Sequence, residues 1–173
     1  MISKTKLAVI SGIFIILAAI IGIFPWICGQ FDWCNGNPLE VKITYPTDGD
    51  RVPNFITVKG TTNRDIQAND FLWLFVGLDE VNQWWPQGGG NIFPIEGKWS
   101  KEARIGAGPD LDIDRPFQIA VLSVGKIENE ELNLWVEKGN ETHEYPPFKL
   151  PLQTGTMLDR ITVVRGKGDK TLA

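Results

Sequence analysis

From residue 40 onward the chain alternates apolar and polar side chains in short runs, each closed by Gly, Pro or Asp. EVKITYP at 40–46 sets Val41, Ile43 and Tyr45 against Lys42 and Thr44, the two-residue period of a half-buried strand. PTDGD then turns the chain, and NFITVKG at 54–60 alternates again. FLWLFVGL at 71–78 is apolar on both faces, as expected of a central strand. GKWSKEARIG at 97–106 alternates Trp99 with charges, and PFQIAVLSV at 116–124 is another buried strand. LDRITVVR at 158–165 closes the series with Leu158, Ile161 and Val163 or Val164. Six strands at this spacing predict a mainly β chain, an antiparallel β-sandwich.

One stretch breaks the rhythm. ENEELNLWVEKG at 128–139 begins acidic and ends with Lys138 and Gly139, which suits the two ends of a helix. Leu132, Leu134 and Val136 also fit a strand, but the end chemistry favours one short helix. Residues 166–173 read as a flexible tail.

The pattern at the start is of another kind. Residues 7–24 form an uncharged apolar run, roughly 27 Å long as a helix at 1.5 Å per residue. Pro25, Trp26 and Ile27 extend it to 7–27, close to the hydrocarbon thickness of about 30 Å. Trp26, Phe31 and Trp33 fall where aromatic rings favour the headgroup zone. Lys4 and Lys6 precede the run, and the first charges after it are Asp32 and Glu40. The positive-inside rule therefore predicts a cytoplasmic stub at 1–6, a single-pass membrane anchor, and everything beyond on the outside. A cleaved signal peptide is the rival reading, but the apolar run is longer than usual and no A-x-A site follows. CNGNP at 34–38 is turn chemistry, so 28–38 reads as a membrane-proximal linker ahead of a domain at 39–165. Cys28 and Cys34 enclose five residues of that linker; they are a candidate disulfide or two unrelated thiols, and spacing alone leaves both open.

Composition narrows the function classes. With 43% hydrophobic and 22% charged residues the chain is that of a folded protein. Seventeen basic against 21 acidic side chains give a net charge of -4 without a Lys/Arg cluster, so no nucleic-acid partner is expected. One His and two Cys cannot build a four-ligand zinc site.

YPTDGDRVPNFITVKGTT, LWLFVGL, WWPQGGG, GKWSKEARIG, FQIAVLSV and LPLQTGTMLDRITVVR occur here in one order. In that order they resemble a loose set of prokaryotic extracytoplasmic Ig-like domains, which carry a W-[WY]-P-Q element and a terminal L-D-R-[IV]-T-V-V-R strand. The resemblance spans residues 39–165. It implies an Ig-like sandwich attached to a membrane or to other domains, and it carries over no catalytic residue.

Candidate chemistry is sparse. His143 lies in the polar stretch GNETHEYPP with Glu141 and Glu144, yet no nucleophile elbow accompanies it, so it reads as a surface histidine. Asp110, Asp112 and Asp114 in DLDID lack the Gly and distal Glu of a calcium loop, and read as a solvated acidic edge. Asn140-Glu141-Thr142 is a glycosylation sequon expected in an exposed loop. No metal or cofactor site emerges. The remaining candidates are tryptophans. Phe71, Trp73 and Phe75 share one face of their strand, opposite Leu72, Leu74 and Val76, so the aromatic set must face the helix or the WWPQGGG loop. In that loop Pro86 biases Trp85 toward an extended backbone, which sends the Trp84 and Trp85 rings in different directions. Trp85 is expected inside, with Trp84 outside beside Gln87 as a binding surface.

The expected function is a non-enzymatic, membrane-anchored module that presents Trp84, Trp85 and Gln87 to a protein or glycan. The alternative is a carbohydrate-active or hydrolytic enzyme built on an Asp/Glu pair, which needs two carboxylates about 5–10 Å apart in a cleft.

Overall fold

The computed structural model describes residues 38–168, except 67, 69 and 109. The expected anchor at 7–27, the linker with Cys28 and Cys34, and residues 169–173 lie outside the described residues. Among the described residues no helix is long and apolar enough to cross a membrane.

The elements run β1 (Val41–Tyr45), β2 (Arg51–Val52), β3 (Phe55–Thr62), β4 (Phe71–Leu78), β5 (Gln83–Pro86), β6 (Lys98–Arg104), β7 (Pro116–Val124), α1 (Lys126–Thr142) and β8 (Thr156–Arg165). They form a three-stranded sheet in the order β1-β3-β6 and a five-stranded sheet in the order β2-β8-β7-β4-β5. Every pairing is antiparallel except β2 with β8, where Arg51 stands opposite Val164. The chain thus passes from one sheet to the other between β1 and β2. Asp48 to Asp50 fasten that crossing to β8: Gly49 N donates to Thr162 O at 2.7 Å and Thr162 N to Asp48 Oδ1 at 2.7 Å.

Alternation along the strands builds two cores. Ile56, Val58 and Trp99 of the smaller sheet meet Leu72, Leu74, Ile119 and Val121 of the larger one. The other face of the larger sheet holds Trp73, Phe75, Trp84 and Leu122, and α1 covers it with Leu132 and Val136. The predicted split of β4 is therefore what the fold uses, with Leu72, Leu74 and Val76 between the sheets and the aromatic set under the helix. Trp73 is fully buried and Trp99 nearly so, both as structural side chains.

α1 is amphipathic in an unusual way, because its buried stripe begins with polar groups: Glu128, Asn129, Leu132 and Gly139. Asn129 Oδ1 accepts a 2.9 Å bond from Trp73 Nε1, which satisfies a buried indole and docks the helix. Glu128 Oε1 accepts from Thr154 N at 2.7 Å and ties the first turn to the segment before β8.

Four sequence expectations are corrected. Eight strands occur among the described residues, two more than expected; β2 and β5 are too short to show a period. The helix runs past Gly139 to Thr142, because Gly139 is not its terminator but the floor beneath the Tyr145 ring, and His143 in left-handed conformation (φ 58°) ends it. The sequon at Asn140 consequently lies in the last helical turn, not in a loop. Beyond β8, Gly166 N donates to Val52 O and Gly168 O accepts from Asn54 N, so residues 166–168 are fastened to the domain.

Candidate functional site

WWPQGGG is an edge strand followed by a tight turn. Trp84 and Trp85 belong to β5, where alternation sends their rings to opposite faces. The expected orientation is reversed: Trp84 is the inner ring, 1% exposed, and Trp85 is half-buried. The reason lies across the ladder. Trp84 pairs with Gly77, and a Cβ on Gly77 would stand 2.3 Å from the Trp84 ring, so the indole occupies the space a side chain would fill. Trp84 Nε1 donates to Asn82 Oδ1 at 3.0 Å, completing its burial. Trp84 is thus removed from the candidate surface. Gly88, Gly89 and Gly90 all hold positive φ (70°, 65° and 154°), the conformation for which glycine is needed.

Trp85 opens onto a cleft of ≈ 710 Å³ at the β5 edge. α1 contributes Trp135 and Asn140, and Tyr145 follows from the segment after it. Arg104, Asp112 and Arg115 bring charge from the far side. The aromatic groups are fixed in place. Trp85 Nε1 donates to Tyr145 O and Trp135 Nε1 to Pro146 O, each at 2.9 Å, so two consecutive carbonyls orient both indoles. The Trp135 ring meets Tyr145 edge-on at 5.3 Å between centroids and Phe148 at 5.6 Å. Tyr145 Oη donates to Asn140 Oδ1 at 2.9 Å.

Gln87 lines the same cleft, but as a brace. Its Nε2 donates to Trp85 O at 3.0 Å and its Oε1 accepts from Arg104 N at 2.9 Å, which links β5 to the end of β6 in the other sheet. Arg104 also donates to Ala107 O. Arg115 bridges Glu80 at 2.7 Å and Asp112 at 3.2 Å; the Glu80 bond first, then Asp112, raises its pKa above the usual guanidinium range.

The acidic triplet disperses. Asp112 Oδ2 accepts from Ala107 N at 2.9 Å, Asp114 pairs with Arg51, and Asp110 faces solvent. Among the described residues no group of three His, Cys, Asp or Glu side chains is placed to hold a metal. His143 is exposed at the end of α1. A smaller hollow of ≈ 420 Å³ lies against the Trp84 side of β5, lined by Asn82, Leu150 and Arg160 among others.

Of the three residues expected to form a surface, the structure keeps Trp85 and Gln87 together. Trp135, Tyr145, Asn140 and Arg104 join them from positions that no sequence pattern connects. Gly139 is the one signal: a glycine inside a polar helix, six residues before a tyrosine, marks where a ring can lie against helical backbone. The chain matches no protein-family model and shows no significant similarity to a curated protein.

Proposed function

We propose that this chain is a membrane-anchored, extracytoplasmic Ig-like module without enzymatic activity, and that its edge cleft binds a glycan. Strand order supports the Ig-like part. β3 and β6 share one sheet and β4, β7 and β8 the other, as the B, E and C, F, G strands of such sandwiches do. β1 and β2 then stand as a first strand divided between the sheets. Two departures accompany this reading: Trp73 on β4 faces a helix instead of the inter-sheet core, and α1 fills the connection between β7 and β8. The anchor and the outward orientation rest on the apolar run at 7–27 and its flanking charges.

The observation that carries the glycan reading is the pair Trp85 and Trp135. Their N–H groups are both consumed by backbone carbonyls, so what they offer a ligand is ring surface. Such surface suits the C–H faces of a sugar, while Arg104 and the Asn140 amide supply polar contacts at the same cleft. A protein partner is the second reading, favoured by Trp, Tyr and Arg together, the side chains of interface hot spots. Against the hydrolase alternative stands the lining of the cleft, where Asp112 is the one carboxylate among the described residues and is engaged by Ala107 N and Arg115.

The test is retention of the membrane-solubilised chain on a panel of immobilised polysaccharides. Trp135→Ala should abolish retention that Trp84→Phe, on the opposite face, preserves. Retention unaffected by Trp135→Ala and Trp85→Ala would remove the cleft from the function.

A further inference from the structure

A different part of the domain exposes large apolar side chains. Phe93, Ile95 and Ile127 are 75%, 77% and 72% exposed, the largest values among the exposed large apolar side chains. The ladders place all three at one end. Val41, where the domain begins, pairs with Thr62; the neighbouring Thr61 pairs with Lys98, and Lys98 closes a two-way hydrogen-bonded turn with Ile95. In the other sheet Ile92 bridges Leu72, and next to it Phe71 pairs with Val124, one residue before the cap of α1 and three before Ile127. The apolar end is thus the end at which the chain enters the domain.

Backbone hydrogen bonds fasten the segment that carries Phe93 and Ile95 to both sheets. Glu96 and Gly97 hold positive φ (52° and 70°) in the turn between Ile95 and Lys98, and Ile92 N donates to Leu72 O at 2.6 Å. At the opposite end the exposed Phe55, Leu111 and Val81 are accompanied by the ion pairs of Arg51 with Asp114 and of Arg115 with Glu80 and Asp112.

We propose that the end bearing Phe93, Ile95 and Ile127 rests on the lipid bilayer, with these side chains at the boundary of headgroups and acyl chains. The proposal rests on the membrane-anchor reading. Fully extended, residues 28–38 reach about 40 Å at most, so an anchored chain holds Val41 near the bilayer and a weak apolar contact suffices. Charge around the patch is mixed: Lys98 stands beside Glu96, and Lys126 lies 3.9 Å from Glu130. Attraction to anionic headgroups is therefore a minor contribution, and the lysine stems can lie along the surface with their ammonium groups in water.

The experiment uses the full chain in nanodiscs of zwitterionic lipid, with Cys28→Ser and Cys34→Ser and one spin label at a time. Labels on Phe93→Cys and Ile127→Cys should collide more with oxygen than with a water-soluble nickel chelate, as a label on Ile15→Cys in the apolar run does. Val81→Cys, at the far end, should show the reverse, and raising the salt should change none of these. Nickel-accessible labels at positions 93 and 127, with position 15 in lipid, overturn the proposal while sparing the anchor. Shielding from both reagents with dipolar broadening also overturns it, because a second copy then covers the patch. A nickel-accessible label at position 15 removes the anchor and the proposal with it.

Discussion

Trp99 lies over Gly60 in the smaller sheet as Trp84 lies over Gly77 in the larger, each indole directly opposite its glycine. A glycine in a strand ordinarily weakens it, but here the missing side chain is replaced by a buried ring from the partner strand. Gly77→Ala should therefore destabilise the domain by about 1–3 kcal/mol, because overpacking against Trp84 outweighs the gain in strand propensity. Trp84→Ala should cost about 3–5 kcal/mol and half-buried Trp85→Ala roughly 1–2 kcal/mol, a difference that urea unfolding resolves. The reversed order of these two rings was not legible in WWPQ, since proline dictates only that they diverge. It becomes legible once β4 and β5 are in register and Gly77 is seen to leave room on one face alone.

Glu128 gives the same scale a pH dependence. Its pKa is lowered from 4.5, chiefly by the side-chain hydrogen bond to Thr154. A carboxyl with a lower pKa folded than unfolded stabilises fully above its unfolded value and loses that contribution as pH falls through the folded one. Stability should thus decline below about pH 4.5 by a component that Glu128→Gln abolishes, read from denaturation midpoints across pH 2–6.

α1 shows what an element's pattern reveals and withholds. Its acidic start announced a helix although Leu132, Leu134 and Val136 alternate like a strand, and the apolar second face of β4 announced that something must cover it. The docking polarity was hidden, because Asn129 resembles any surface residue until Trp73 is beneath it. Asn129→Ala leaves that indole N–H unpaired and should cost about 1–3 kcal/mol. A double-mutant cycle with Trp73→Phe should return a coupling energy, whereas additive losses would mean the bond contributes nothing. Gly139 makes the opposite point. Alanine there should favour the isolated helix by about 1 kcal/mol. Yet its Cβ would fall 2.1 Å from the Tyr145 ring, so the tyrosine must leave the cleft. Gly139→Ala should accordingly weaken ligand binding while leaving helix content intact by circular dichroism.

Across the whole molecule, the long strands were readable because each carries a period of two or a continuous apolar run, and these fix the two layers and the core between them. The short strands β2 and β5 carry neither, and they form the two edges of the five-stranded sheet. The cleft was illegible for the same reason: it joins an edge strand, the last turns of a helix and a loop from the other end of β6, which only the fold brings together. Its role as a glycan site is the central claim, and fluorine NMR of the 5-fluorotryptophan-labelled chain tests it most directly. On titration with pyranose oligosaccharides, the signals of Trp85 and Trp135 should shift together and saturate, while those of Trp73, Trp84 and Trp99 stay in place. Fixed Trp85 and Trp135 signals across the whole panel, or shifts confined to the three buried rings, would contradict the account.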